Sequence, residues 1–201
     1  MAIEGPSNDQ PVFEKQVREP LPAGDFCCHI MKLKSTNYDA DTNRNPSKQG
    51  IEIKRGKNEG RTADIIKFEL QVDASKHSEY EGRRLYKDLF VFQGIDNYEQ
   101  FRIDNKEWIS FLNHAGYPMD SDGKGMTVYP SCLDDLGEGE SFVGLPIICT
   151  TKIKLYMNKD GEEAATNDVI AFKTYNNPSK YVDASENNER SAVKDDDDLP
   201  F

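Results

Sequence analysis

The sequence lacks any long apolar run, and no stretch approaches the roughly 20 residues that a membrane-spanning helix requires. Its first 20 residues also lack the basic and then apolar order of a secretory signal peptide. These two absences predict a cytoplasmic protein that makes no contact with a membrane.

Motifs for metal binding and catalysis are also missing. The chain has four cysteines without a C-x-x-C spacing and three histidines without an H-x-x-x-H pairing: Cys27, Cys28, Cys132 and Cys149, and His29, His77 and His114. No G-x-x-x-x-G-K-[ST] phosphate loop is present. We therefore expect buried thiols in a reducing compartment, no metal, no cofactor and no enzymatic activity. A zinc site among the cysteines and a small enzyme remain the alternatives.

Positive charge is in deficit, with 25 Lys and Arg against 36 Asp and Glu and a net charge of −11. This balance excludes a broadly basic nucleic-acid-binding protein. Part of the acidic excess is local, because residues 183–201 hold seven acidic and only two basic side chains. The rest of the chain stays mildly acidic, so any nucleic-acid site must be a local basic groove.

The C-terminus combines a run of acids with an apolar tip: Asp195, Asp196, Asp197, Asp198, Leu199, Pro200 and Phe201. Four adjacent carboxylates repel one another, which predicts a solvated and disordered segment. An aromatic ring beside the terminal carboxylate suits docking into a basic-rimmed apolar pocket on another protein. We therefore predict that residues 195–201 bind partner proteins.

Between these ends, hydrophobic periodicity predicts strands at residues 23–34, 63–72, 85–92, 144–157 and 168–176, with a long loop at 37–60 and a helix at 104–115. Asp104 is the expected N-cap of the helix and Gly116 its stop signal. Strands one to three, a helix, and two more strands are typical of the OB-fold. The predicted fold is all-β: a five-stranded Greek-key barrel with one α-helix between strands 3 and 4.

The predicted organisation is a flexible segment at 1–20, an OB-fold domain at 21–181 and a disordered acidic tail at 182–201. Four short motifs mark the domain: Leu21-Pro22-Ala23-Gly24, Tyr80-Glu81-Gly82-Arg83-Arg84-Leu85, Asn113-His114-Ala115-Gly116 and Phe142-Val143-Gly144-Leu145. Together they resemble phage-encoded OB-fold single-stranded DNA-binding proteins, over roughly residues 21–176. The tip resembles that of bacterial single-stranded DNA-binding proteins, with Leu199 in place of their Ile.

This resemblance implies sequence-nonspecific binding and protection of single-stranded DNA in phage replication, recombination or repair, in the cytoplasm of a bacterial host cell. It also implies that the tip recruits replication, recombination or repair proteins. Whether copies of the protein associate with one another on DNA is left open.

Binding to single strands needs cations for phosphates and rings for bases. In the fourth predicted strand, Lys152, Lys154 and Tyr156 share one face, and the alternating Ile153, Leu155 and Met157 form an apolar opposite face, as the groove strand of an OB-fold requires. Further candidates are Lys173 and Tyr175 in the fifth strand, Lys32 and Lys34 at the end of the first, Lys54, Arg55 and Lys57 in the basic loop 44–61, and Arg83, Arg84 and Tyr86 at the third.

Each candidate has an alternative interpretation. The lysines also suit a solvated strand face, the loop a floppy solvated segment, and the arginines ion pairs with Glu79 and Glu81. Trp108 is expected in the core; Phe68, Phe90, Phe92 and Phe172 are too, although any of the four could face a groove. The main rival function is an OB-like adaptor or DNA mimic that acts only through proteins.

Overall fold

The computed structural model describes residues 19–39, 45–123, 125–158 and 161–176. The predictions for the N-terminal segment up to residue 18 and for the acidic tail with its tip, Asp195–Phe201, lie outside the described residues. No helix within the described ranges is long and apolar enough to cross a membrane.

The described chain is mostly β-structure with two short helices. In order, its elements are β1 (Gly24–Leu33), β2 (Lys48–Glu52), β3 (Thr62–Val72), β4 (Arg84–Phe92), α1 (Tyr98–Asp104), α2 (Lys106–Ala115), β5 (Asp120–Ser121), β6 (Thr127–Val128), β7 (Pro146–Met157) and β8 (Glu163–Lys173).

Six of the strands form one antiparallel sheet in the order β2-β3-β1-β7-β8, with β4 on the opposite edge of β3. One edge of β3 is shared, because β2 pairs with its first half and β1 with its second half. The other edge pairs with β4 from Ala63↔Phe92 to Gln71↔Arg84. The short strands β5 and β6 pair only with each other.

Side-chain alternation decides which face of the sheet is buried. In β3 the alternating residues Ile66, Phe68, Leu70 and Val72 share one face and are buried. In β4 the inward residues are Leu85, Leu89 and Val91, and the outward residues include Arg84, Tyr86, Asp88 and Phe90.

The core is an aromatic cluster between the sheet and α2. The ring of Phe68 lies 4.5 Å from Phe111, 5.0 Å from Phe142 and 6.3 Å from Trp108, measured between centroids. Trp108 is fully buried, and its indole N–H donates to the Pro130 carbonyl over 2.9 Å. The prediction that Trp108 is a core residue is therefore confirmed.

Two helices occupy the region where one was predicted, with Asp104 as its N-cap. Asp104 is instead the last residue of α1, whose N-cap Asn97 accepts from the Gln100 amide. The break falls at buried Asn105, whose side chain bonds both backbone groups of Phe92 in β4. This tie to the sheet interrupts the helix. α2 ends at Gly116 with φ 68°, as predicted.

The strand predictions need three corrections. β2 lies within the predicted loop 37–60, so the main sheet has six strands and not five. β5 and β6 were not predicted, and the last strand covers Glu163–Lys173 and not 168–176. These segments are short, polar or rich in small residues, so their sequences carry little of the apolar alternation that marks a half-buried strand.

A fully buried carboxylate, Asp64, joins three separate segments. It accepts hydrogen bonds from the Gly50 amide at 2.8 Å, the Gln93 side chain at 2.6 Å and the Leu133 amide at 2.6 Å. These bonds connect β2, the chain after β4 and the loop before β7 to β3. A buried charge requires such hydrogen bonds to be tolerated.

The two ends of the sheet, β4 and β8, approach each other through the side chain of Lys87. Its ammonium donates to the Val169 carbonyl over 2.8 Å, pairs with Glu107 at 2.7 Å and lies 6.0 Å from the Phe172 ring centroid. Among the described strands, β4 and β8 share no backbone ladder.

Candidate nucleic-acid interface

Two exposed aromatic side chains lie on the outward face of β4. Tyr86 is 57% exposed and Phe90 is 39% exposed, and their spacing of four residues puts them on the same side of the strand. The Lys34 ammonium lies 5.5 Å from the Tyr86 ring centroid. Lys32 is exposed and lies opposite Glu69, which in turn lies opposite Tyr86. Aromatic rings beside cations are what a single strand needs for stacking and charge neutralisation.

The two arginines at the start of β4 are engaged within the protein. Arg84 pairs with Glu69 on β3, and the Arg83 guanidinium donates to the Glu19 carbonyl. Neither arginine pairs with Glu79 or Glu81, as the alternative interpretation supposed, among the ion pairs of the described residues. The Arg84 side chain stays half exposed, so its guanidinium remains accessible from solvent despite the ion pair.

A cleft of about 330 Å³ opens beside Phe90, and we call it the Phe90 cleft. Its lining comes from β4, the loop after β2 and the start of α2: Ile53, Arg55, Lys57, Asn58, Phe90, Phe92, Asp104, Asn105, Lys106 and Glu107. Apolar side chains thus meet three cations in one concave site. Lys54 is exposed next to this lining.

The acids of the Phe90 cleft are neutralised by neighbours. Asp104 pairs with Arg61 at 2.8 Å, and hydrogen bonds from the Gln100 and Arg61 side chains lower the pKa of Asp104. Glu107 pairs with Lys87 at 2.7 Å. Arg55, Lys57 and Lys106, by contrast, enter no ion pair within the part of the chain that the structure describes. The cleft therefore offers uncompensated positive charge in an acidic protein.

The loop that supplies Arg55 and Lys57 is a hydrogen-bonded extension of the β2–β3 pair. The Ile53 amide donates to the Arg61 carbonyl at 2.9 Å, and the Gly60 amide returns a bond to Ile53 at 2.8 Å. Gly56, with φ 90°, makes the turn. The floppy-loop alternative does not describe this backbone, because its amides are bonded within the hairpin.

The prediction for β7 is half correct. Lys152, Lys154 and Tyr156 are exposed together on one face, and Lys152 pairs with Asp168 at 3.5 Å. The opposite face is apolar, but it is not buried, since Ile153 is 47%, Leu155 61% and Met157 64% exposed. β1 pairs with β7 only as far as Thr151. Beyond that point β7 and β8 form a two-stranded ribbon, which we define as residues 152–157 and 163–168.

The prediction for Tyr175 is also wrong. β8 ends at Lys173, so the alternation that placed Tyr175 beside Lys173 does not continue. Tyr175 is buried, and its hydroxyl donates to Asp73 over 2.8 Å. Burial and the Asp73 carboxylate raise the pKa of Tyr175. This side chain anchors the chain after β8 to the body and offers no surface to a base.

Lys173 itself is exposed, but it is paired. Its ammonium lies 2.5 Å from Asp25, and hydrogen bonds from Lys173 and Thr150 lower the pKa of Asp25. An exposed ion pair of this kind contributes little to stability and can exchange its partner for another anion. Lys173 therefore remains a peripheral candidate.

Apart from Arg83, which donates to the Glu19 carbonyl, and the buried Tyr175, the sequence candidates fall into two groups. Those on or beside β3, β4 and the β2–β3 hairpin share one side of the sheet: Lys32, Lys34, Lys54, Arg55, Lys57, Arg84 and Tyr86. The candidates on β7 and β8 lie at the other end of the sheet, on the two strands that form the ribbon. Sequence reasoning missed Phe90, although period-two alternation from Tyr86 would have placed it on the exposed face.

The four cysteines are free thiols, with Cys28 and Cys149 buried and Cys27 and Cys132 half-buried. Among the described residues, no group of three or more His, Cys, Asp or Glu side chains could hold a metal ion.

Comparison with protein-family models, with curated proteins and with solved structures gave no match. The assignment of a function therefore rests on the chemistry of the site.

Proposed function

We propose that this protein is a non-enzymatic, sequence-nonspecific single-stranded DNA-binding protein of phage type. It would coat and protect the strand during replication, recombination or repair in the cytoplasm of a bacterial host. The observation that carries the proposal is the Phe90 cleft, where an exposed ring lies among three cations that have no ion-pair partner among the residues the structure describes.

The strand neighbours support an OB-fold as the finer description of the body. β1 pairs with β3 and β7, β3 with β4, and β7 with β8, while β8 and β4 meet through Lys87. This is the neighbour pattern of a five-stranded, partly open barrel in which β2 is an insertion between the first two strands. In OB-folds the second and third strands and the two adjoining loops hold oligonucleotides. Here these parts are β3 with β4, the β2–β3 hairpin and the ribbon.

Binding would combine stacking with charge neutralisation. Bases stack on Phe90 and Tyr86, and phosphates lie against Arg55, Lys57 and Lys106. Because rings contact base faces and cations contact phosphates, neither reads a base edge. The interaction is therefore indifferent to sequence. The lysines of the ribbon, Lys152 and Lys154, would extend the path of positive charge.

The C-terminal tip, Asp195–Phe201, would recruit replication, recombination or repair proteins. The rival proposal is an OB-like adaptor or DNA mimic that uses the same tip without ever binding DNA. Its support is the net charge of −11.

A titration of oligo-dT at several salt concentrations separates these two functions. If the three cations of the Phe90 cleft and the two ribbon lysines neutralise phosphates, log affinity should fall linearly with log salt, with a slope of about −2 to −4. Fluorescence anisotropy of a labelled oligonucleotide measures this slope. Failure to bind oligo-dT at low salt would favour the adaptor. Binding of oligo-dC with a similar salt slope would support an interaction that does not depend on sequence.

The acidic tail provides a second test. Removal of Asp195–Phe201 is expected to tighten oligo-dT binding at low salt about threefold to tenfold, because the four aspartates compete with phosphates for the same cations. The difference should vanish at high salt. A full-length variant with Asn at positions 195–198 is the matched control and should behave like the deletion. Unchanged or weaker binding of both variants would contradict the competition.

A further inference from the structure

An unusual feature of the ribbon is its exposed apolar stripe, which we define as Ile153, Leu155 and Met157 of β7 with Ala165 of β8, the residue opposite Leu155. These side chains continue the face on which Cys149 and Thr151 are buried. The core face of β7 therefore runs past the edge of the body, and in the described part of the molecule the body reaches only the base of the ribbon, where the Asn167 side chain bonds both backbone groups of Leu21. Contiguous exposed apolar side chains are typical of a contact surface.

The charges around the stripe exclude a polyanion as its occupant. On this face β8 contributes Glu163 and Asn167 beside Ala165, and no lysine or arginine of the ribbon lies there. Lys152 and Lys154 project from the opposite face. A phosphate backbone, or the aspartates of the tail, would therefore meet a carboxylate and no cation on the stripe side.

We propose that the stripe binds the same stripe of a second copy of this chain, face to face, and that this contact makes binding to single-stranded DNA cooperative. The proposal rests on the proposed function for its DNA-dependent part. Two β-ribbons stacked through apolar faces pack about 10 Å apart, as the layers of a β-sandwich do.

The sequence of the stripe is self-complementary. A two-fold axis through Leu155 and Ala165 stacks each of these residues on its own counterpart. It also places Ile153 over the second copy's Met157, at either side of the central residues. No like charges are opposed in this arrangement, and an isologous contact of this kind closes as a dimer.

The area of the stripe predicts a weak contact. Its six large side chains, three from each copy, would bury on the order of 600 Å². Stable interfaces need about 1,200–2,000 Å². Free copies should therefore associate only at high concentration, whereas neighbours held on one DNA strand have a high effective concentration and associate readily. The lysine faces of both ribbons would remain outward and accessible to phosphates.

The test compares Leu155→Glu with Thr166→Glu, which adds the same charge on the opposite face of the ribbon. On long poly-dT, Leu155→Glu should lower the cooperativity parameter about tenfold or more, because a carboxylate enters the centre of the contact. On an oligonucleotide that holds one copy, its affinity should match that of the unaltered protein within about twofold, whereas Thr166→Glu, directly opposite Lys154, should bind more weakly because its carboxylate neutralises a cation of the proposed binding face. Thr166→Glu should keep the cooperativity of the unaltered protein.

A measurement without DNA keeps this inference separate from the proposed function. Sedimentation velocity at high protein concentration should show reversible self-association for the unaltered protein and for Thr166→Glu, and none for Leu155→Glu. If the protein binds no DNA yet associates in this way, the proposed function fails and the contact stands.

Three results would overturn the inference. Equal cooperativity and equal self-association of both variants would show that the stripe makes no copy-to-copy contact. A loss of short-oligonucleotide affinity in Leu155→Glu would assign the stripe to bases. Loss of self-association on deletion of Asp195–Phe201 would assign it to the tail.

Discussion

Replacement of Phe90 by alanine is expected to weaken oligo-dT binding roughly 5- to 150-fold, the equivalent of about 1–3 kcal/mol for one stacked base. The ring forms the apolar floor of the Phe90 cleft, and Arg55, Lys57 and Lys106 line the same cleft. A base that stacks there keeps its phosphates within reach of those cations. Without the ring, the cations retain only the charge-dependent part of binding.

Two substitutions at the same position separate aromatic stacking from hydrophobic contact. Phe90→Tyr keeps a stacking ring and should retain affinity within about twofold, whereas Phe90→Leu should behave more like alanine. Ile103→Ala removes an exposed apolar side chain from α1, outside the cleft, and should have no effect. The salt slope should stay the same in all Phe90 variants, since no phosphate contact is lost. An alanine variant with unaltered affinity would falsify the role of the Phe90 cleft.

Substitution of Asp64 by alanine is expected to lower the free energy of unfolding by about 3–5 kcal/mol. The change leaves three donors in the interior without their acceptor, namely the amides of Gly50 and Leu133 and the side chain of Gln93. Each buried donor left unpaired costs about 1–3 kcal/mol, partly offset because the burial of the carboxylate itself is no longer required. For a domain of this size the melting temperature should fall by about 10 °C or more.

Urea denaturation measures this loss, with two controls. Asp64→Asn keeps one carbonyl acceptor and should lose less stability than alanine. Asp25→Ala removes an exposed carboxylate whose partner Lys173 is also exposed, so it should cost about 1 kcal/mol or less. If Asp64→Ala unfolded at the same urea concentration as Asp25→Ala, the three bonds would not hold the segments together.

The sequence predicts those elements in which one face is buried along the whole strand. In β3 and the first part of β4, alternation reports burial directly, and α2 shows its inward Trp108, Phe111 and Leu112 at helical spacing. β2 has no such pattern, because four of its five residues are exposed and pairing with β3 stabilises it. α1 buries only Phe101, so its sequence carries little helical signal.

The candidate site was predictable in part for the same reason. The cations of loop 44–61 are visible as a local excess, yet the Phe90 cleft also needs Lys106, about 50 residues away from Arg55, and only tertiary structure brings these two together. Alternation placed Lys152, Lys154 and Tyr156 on one face of β7. It could not reveal that Ile153, Leu155 and Met157 on the other face are exposed in the described part of the chain, because burial of this face depends on where β1 stops pairing.

The junction between β4 and β8, which the Lys87 side chain spans, is held together differently from the other strand pairs of the sheet. Separation of β3 from β4 would break a ladder of nine residue pairs, whereas β4 and β8 share no ladder among the described strands and are joined by side-chain packing and by the hydrogen bond from Lys87 to the Val169 carbonyl. Thermal breathing of the sheet should therefore concentrate along this line, where the fewest bonds oppose it. This junction lies between β4, which carries Phe90, and β8, which continues into the ribbon. Opening there would let the Phe90 cleft and the ribbon shift relative to each other while the hydrogen-bonded ladders on either side stay intact.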